Sequence, residues 1–421
     1  MNQHNPGAEI FSQGDEIVSG QIVDTNAAWL SQQLIRLGFQ VTRHTAVGDD
    51  PDALVFLLRE IAARADCCIC SGGLGPTEDD LTAEAVATAF ELSLLSDLDA
   101  IVQIEAHFLK LNRPIPLVNF KQALFPDGAI RIDNRWGTAP GFSLRHERCW
   151  FAFLPGVPFE MKNMFANAVQ PELARRWPIN ARPLVTLRCV GVGESAIQER
   201  IQSVHIPDDV RLGFQAGPLE IQVKLLFQPE IPRDQMDSLV QSVADAIGSP
   251  VFGIDGPEHA CGDLVAVIGQ KLLENSCTIA VLETVSGGKI AARCEGAAWF
   301  QEGRTIRDPR RVFEQMGVPC AAHRDRNSSL EAVSALAIAM AETCDVDFAL
   351  AQIWSFDDRE LTDLNAVIPV HTALATPSGV HRHSSEFSGT ASRKQTLAAT
   401  CALDLLRRYL QGSLVGIEKA R

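Results

Sequence analysis

Between residues 8 and 92 short apolar runs alternate with amphipathic stretches, and this alternation restricts the chain to a narrow group of folds. Residues 8–11 read as a strand. Residues 24–37 place Ala27, Leu30, Leu34 and Leu37 at helical spacing and stop at Gly38. Residues 39–47 alternate as a second strand, 52–64 are amphipathic, and 66–70 form a continuous apolar run of the kind buried between two helical layers. Strand, helix, strand, helix, strand in that order requires crossover connections, which implies an α/β fold with a parallel sheet. A helix over 81–92 and a strand over 150–154, leading into a helix from Phe159, belong to the same part of the chain.

Composition shifts around 177–183, where Pro178 and Pro183 frame a linker. A small α+β unit follows, with strands over 184–192, 211–215 and 219–227 and helices over 196–203 and 233–247. A second boundary falls near 253–257. Beyond it come a helix over 261–273, a strand over 278–282, a Ser286-Gly287-Gly288 turn, a helix over 328–343, a strand over 348–353, paired strands over 370–375 and 380–387, and a closing helix over 391–410. The expected domains are therefore 1–176, 177–254 and 255–421, the last a further α/β layer structure.

An apolar share of 46% with 21% charged residues is enough for several cores and excludes wholesale disorder. The formal charge, 37 basic against 52 acidic side chains or −15, disfavours nucleic acid as a partner. No run approaches the ~18 consecutive apolar residues of a membrane helix, and the first residues lack a secretory signal, so the expectation is a cytoplasmic protein without a membrane partner. The eleven cysteines are odd in number and scattered through apolar segments, as in a reducing compartment. Cys67 and Cys70 make a formal C-x-x-C, but three residues apart on a strand they face opposite sides and read as small buried hydrophobes.

The sharpest local feature is the stretch from Ser71-Gly72-Gly73-Leu74-Gly75-Pro76-Thr77 to Glu78-Asp79-Asp80-Leu81-Thr82, which follows the third strand and opens a helix. In open α/β sheets ligands bind beyond the carboxyl ends of strands, near the reversal of strand order. Glycines there allow close backbone approach, and the helix start offers free N–H groups to an anion, so the bend reads as a phosphate cradle. It also reads as a tight turn in which Asp79 or Asp80 caps the helix. It is neither a dinucleotide fingerprint nor a Walker loop. Gly14-Asp15-Glu16, Gly48-Asp49-Asp50 and Pro155-Gly156-Val157-Pro158 should reach the same sheet edge. Their carboxylates, with Asp80, suit a divalent cation held between acids and phosphate oxygens, or else cap helices one by one. Arg135 reads as a surface charge. His381 and His383 share one face of a strand and read as solvent-facing, a metal clip there lacking a third ligand.

The string Gly14-Asp15-Glu16-Ile17-Val18-Ser19-Gly20-Gln21-Ile22-Val23-Asp24-Thr25-Asn26, together with 71–82, 134–142 and Leu154-Pro155-Gly156-Val157-Pro158-Phe159-Glu160-Met161, closely resembles the CinA family in the same order. The match is strong over about the first 175 residues. It weakens through the middle unit, where Gly191-Val192-Gly193-Glu194-Ser195 is similar to the family's KH-like insert, and it is weakest in the last third. The resemblance implies a MogA-like, molybdopterin-binding fold for the N-terminal domain and metal-dependent hydrolysis of ADP-ribose to AMP and ribose 5-phosphate. It places Gly72, Gly73, Gly75 and Thr77 against the phosphates, with Gly156 beside them. By the same resemblance Asp49 and Asp80 match the two acidic positions expected to work with metal or substrate in the pterin-binding relatives, the metal being Mg2+, Mn2+ or Co2+. A non-catalytic holder of a nucleotide or pterin satisfies the same residues. No Gly-x-x-Gly loop with flanking lysine accompanies the KH-like unit, which argues against RNA binding.

For the C-terminal domain the resemblance implies a nicotinamide-mononucleotide amidohydrolase, whose strand ends in Glu-Ser-x-Thr-Gly-Gly with the serine as nucleophile. This chain reads Glu283-Thr284-Val285-Ser286-Gly287-Gly288. Threonine can attack a carbonyl, but its β-methyl crowds the approach. The family's glycine-rich later loop is replaced by Ala351-Gln352-Ile353-Trp354-Ser355-Phe356, and its tyrosine and lysine have no counterparts near 297–304. The expectation is an amidase site lost or altered, marked by Thr284 and Ser286, in a domain that has become structural. A homodimer is the simplest cover for its apolar surface.

Overall fold

The computed structural model describes residues 5–177, 182–217, 219–257, 259–319, 326–354, 357–414 and 417–419. The chain divides into two compact units, 1–182 and 183–421. In the first, β1 (Gly7–Gln13), a short α1 (Asp15–Val18), α2 (Thr25–Arg36), β2 (Gln40–Val47), α3 (Pro51–Arg64), β3 (Cys67–Ser71) and α4 (Thr82–Ala89) follow the expected order. Asp24 and Asp50 fix two helix starts by accepting hydrogen bonds from the amides of Ala27 (2.8 Å) and Ala53 (2.9 Å).

Next come β4 (Leu94–Ser96), α5 (Leu98–Lys110), β5 (Leu124–Pro126), β6 (Ile130–Ile132), β7 (Gly141–His146), β8 (Cys149–Leu154), α6 (Pro158–Met164) and α7 (Gln170–Arg176). The principal sheet has the order β2-β1-β3-β8-β7-β6. β2, β1, β3 and β8 run parallel, whereas β7 and β6 are antiparallel additions, so the sheet is mixed rather than wholly parallel. β4 and β5 pair separately. Because the chain passes from β1 outward to β2 and then back to β3 on the other side, the strand order reverses between β1 and β3.

Both faces of this sheet are covered. Cys68 and Cys70 belong to the cluster on one face with Leu54, Leu58 and Phe151, and Cys67 belongs to the other with Leu30, Trp150 and Met164. Opposite faces for Cys67 and Cys70 are thus observed, and burial pushes all three thiols upward in pKa, which removes the thiolate that redox or metal chemistry needs.

The second unit opens with β9 (Leu184–Cys189), α8 (Glu194–Ile201), β10 (Arg211–Ala216), β11 (Ile221–Leu226), α9 (Arg233–Ile247) and β12 (Val251–Asp255), an antiparallel sheet of order β10-β11-β9-β12. It continues with α10 (Leu264–Glu274), β13 (Ile279–Glu283), α11 (Lys289–Cys294), β14 (Phe300–Thr305), α12 (Pro309–Gln315), α13 (Arg326–Cys344), β15 (Phe348–Trp354), α14 (Asp358–Thr362), β16 (Ile368–Thr376), β17 (Gly379–Phe387), α15 (Ala391–Leu410) and β18 (Glu418–Lys419). These strands form a sheet ordered β14-β13-β15-β16-β17-β18, parallel over its first three strands and antiparallel after. His381 corrects its solvent-facing reading: α15 returns over β17 and sets Tyr409 5.0 Å from the His381 ring, which is 5% exposed. Among the described residues no helix is long and apolar enough to cross a membrane.

One ion pair fastens α3 to the central strands. Glu9 on β1 is 2% exposed and takes Arg64 in a two-pronged contact, Nε at 2.7 Å and Nη2 at 2.9 Å. Removing one partner leaves a buried charge without compensation. Arg64→Ala should lower unfolding free energy by about 3 kcal/mol, read from urea titration, and Arg64→Lys should restore only part because an ammonium cannot make both contacts.

Candidate functional site

A cleft of about 500 Å³ lies at the carboxyl ends of the parallel strands of the first unit. It is bordered by Gln13 at the end of β1 and Gly14 beyond it, Asp49 after β2, the bend after β3 and Pro155–Pro158 after β8, so the loops expected at one sheet edge do meet there. Gly72, Gly73, Gly75, Asp79, Asp80 and Gly156 line it; Thr77, Asp15 and Asp50 are not among its lining residues. Thr77 instead donates through its amide (2.9 Å) and Oγ1 (2.5 Å) to Asp80 Oδ2. Asp80 therefore closes a local turn rather than capping α4, whose start carries no side-chain cap.

Two buried amides organise the cleft, and neither was singled out from sequence. Gln13 donates to Asp49 Oδ1 (2.9 Å) and to the Asp79 carbonyl (3.3 Å), and accepts from Thr82 Oγ1 (2.5 Å). Asn26, at the start of α2, donates to Ser71 Oγ (3.0 Å) and to the Gly156 carbonyl (2.8 Å). Its Oδ1 is buried beside the cleft without a partner. Gln13 had no signal beyond its place at a strand end, while Asn26 sat unremarked inside the first motif. Asp49 Oδ2 accepts from the Asp15 amide (3.2 Å) and Asp15 Oδ1 accepts from the Asp49 amide (3.1 Å), a reciprocal clasp between the first two loops. The cleft's mouth is apolar in part, with Ile22 57%, Val23 80% and Val157 52% exposed.

Gly72 has φ +106, and a Cβ there would collide with the Gln13 carbonyl oxygen, so this glycine is required by packing of the bend against β1. A Cβ on Gly156 would meet only Gly72 Cα, at 3.6 Å.

The second predicted site has a different character. Thr284 is 1% exposed and its Oγ1 donates to the Gln352 carbonyl at 2.9 Å. Ser286 is 0% exposed, and its Oγ is buried without a partner. Glu283 accepts from the amides of Gly288 (3.1 Å), Ile290 (3.0 Å) and Ala291 (2.8 Å), so it holds the first turn of α11. Of the later loop, Ser355 and Phe356 lie outside the described residues.

A domain model described as "Probable molybdopterin binding domain" matches residues 9–175, and one described as "CinA C-terminal domain" matches 262–410. A CinA-like protein of Shewanella sp. strain W3-18-1 is 31% identical over 97% of this chain and 97% of its own length. The chain belongs to the CinA-like family. A relative from Shewanella oneidensis, named nicotinamide-nucleotide amidohydrolase PncC, is likewise 31% identical over 97% of both chains. Among solved structures, the protein CinA from Thermoplasma acidophilum shares 33% identity over 40% of this chain and 98% of its own, with a TM-score of 0.37.

The contrast between the two glycines is directly measurable. Gly72→Ala should cost about 2 kcal/mol or more, seen as a lowered melting temperature, whereas Gly156→Ala should stay within about 0.5 kcal/mol of the parent while adding a methyl group to the cleft wall.

Proposed function

We propose that the first unit binds a nucleotide diphosphate of the ADP-ribose type and hydrolyses it with a divalent cation, and that the amidase of the C-terminal domain has been lost. The observation that carries the reading is the meeting of Asp49 and Asp80 with the glycine bend in one cleft at the strand-order reversal. The donor chemistry fits a hard cation, since Glu16, Asp49, Asp79 and Asp80 line the cleft and such ions prefer oxygen. Among the described residues no three His, Cys, Asp or Glu side chains are grouped to hold a metal by themselves. A cation held here would therefore take only one or two carboxylates from the chain and complete its shell with substrate phosphate and water, as Mg2+ does. Asp49 and Asp80 would hold it. When bound, the ion supplies charge neutralisation of the diphosphate and a more acidic water.

The chain's own part is to bind and orient. Gly72 donates its amide to the Leu154 carbonyl (3.0 Å), so the amides of residues 73–75 are those left for phosphate oxygens; Ile22, Val23 and Val157 offer apolar surface to a planar base, and the unpartnered Asn26 Oδ1 accepts from a sugar hydroxyl. Water attacks one phosphorus, the bridging P–O bond breaks, and AMP and ribose 5-phosphate leave. A second reading, favoured by the description of the matching N-terminal family, is a molybdopterin or nucleotide binder without turnover. The proposal includes a second copy of the chain as partner; the exposed Leu98 (76%), Leu109 (80%) and Leu117 (84%) that self-association would cover lie in the first unit, not in the C-terminal domain where the sequence reading placed that surface.

Incubation with ADP-ribose and Mg2+, Mn2+ or Co2+ should yield AMP by chromatography, stop on chelation, and fall about a hundredfold or more in Asp80→Asn while binding persists. Tight binding without AMP would favour the second reading, and neither binding nor AMP would remove both. For the C-terminal domain, the burial of Thr284 and its bond to the Gln352 carbonyl support loss of the nucleophile. Incubation with nicotinamide mononucleotide should release no ammonia. Steady release abolished by Thr284→Ala would restore the amidase.

A further inference from the structure

The second unit contains a separate cleft of about 320 Å³, lined from β9, the turn between β10 and β11, β12, α10, α11 and α15. Its apolar walls come from Val190, Leu219, Phe252 and Leu264. Its polar groups are nearly all satisfied internally. Arg188 donates to the Gly262 carbonyl and to Glu220 Oε1 (2.8 Å), with its guanidinium 5.9 Å from the Phe252 ring centre. Glu220 Oε1 also accepts from Gln222 Nε2 (2.6 Å), and Asp263 Oδ1 caps α10 through the Ala266 amide (2.9 Å).

Two guanidinium nitrogens are exceptions: Arg188 Nε makes no hydrogen bond but lies 3.7 Å from Asp255 Oδ2, whereas Arg293 has no ion pair among the described residues. Arg293 lies on α11 and lines this cleft, and its Nη1 is shielded from solvent without a hydrogen-bond partner. A guanidinium cannot release its charge by losing a proton in a protein, so one that lines a cleft without an ion-pair partner suits an anionic ligand there. The charge around it limits what that ligand is. Two arginines, Arg188 and Arg293, line the cleft with two acids, Glu220 and Asp263, and Arg188 is already paired with Glu220 and, at 3.7 Å, with Asp255. The balance disfavours a phosphate dianion and suits a single negative charge. The volume is at the lower end of small-molecule sites, and the walls favour an apolar body.

We propose that this cleft binds a small monocarboxylate with an apolar or aromatic body, its carboxylate paired with Arg293. It does not depend on the cleft of the first unit. Calorimetry or ligand-observed NMR on the full chain, with indole-3-acetate, benzoate, indole-3-acetamide and inorganic phosphate as probes, tests it. The expected result is saturable binding of the carboxylates, with indole-3-acetate bound about tenfold or more tightly than its neutral amide. Arg293→Gln should abolish that preference, and Leu219→Trp, which fills the cleft and leaves the guanidinium, should abolish binding. Equal binding of acid and amide, phosphate as the best probe, full binding by Arg293→Gln, or no binding by any probe would overturn the proposal. If circular dichroism shows Arg293→Gln to be unfolded, Leu219→Trp and the acid–amide comparison decide the outcome.

Discussion

The architecture of the first cleft depends on a single buried amide. Gln13 is 4% exposed at the end of β1 and joins Asp49 after β2, the Asp79 carbonyl in the bend after β3, and Thr82 at the start of α4. The first of these follows β2 and the other two follow β3, and without a shared partner the two loops would settle by their own turn preferences. A side-chain amide suits the position because it donates and accepts at once, so a carboxylate and a hydroxyl can be held on the same group. The bend can then lie close against β1 only because Gly72 has no Cβ.

The two units treat their strand ends differently. After β3 the chain leaves an open edge where carboxylates and amides face a cavity. After β13 it turns inward, and the hydroxyls of Thr284 and Ser286 are enclosed while Glu283 is spent on three backbone amides. Similar strand-to-helix turns therefore have opposite chemical prospects, decided by whether neighbouring segments cover them. Gln352, fully buried on β15, places its carbonyl on Thr284 and its side-chain amide on the Ala398 carbonyl, which ties that turn to α15.

Much of this was legible from the sequence where local rules operate. Apolar spacing over 24–37 and 52–64 marked two helices, and the continuous run 66–70 marked the buried central strand, because patterning acts within a few residues. β4, β5 and β6, at three residues each, are too short to show a period, and α5 carries exposed Leu98, Val102 and Leu109, which blur its apolar face. The site divides in the same way. Gly72, Gly73, Gly75, Asp49 and Asp80 stood out as types in a pattern, whereas Gln13 and Arg293 matter only through partners, or a lack of them, far along the chain. His381 looked exposed by alternation until Tyr409, from the closing helix, covered it.

The clasp between Asp15 and Asp49 joins loops 34 positions apart through two mirrored backbone-to-carboxylate bonds. Neither loop can swing outward without breaking both bonds, so this rim of the cleft behaves as one latch rather than two independent fingers. Asp15, which does not border the cavity, thereby shares control of its width with Asp49, which does.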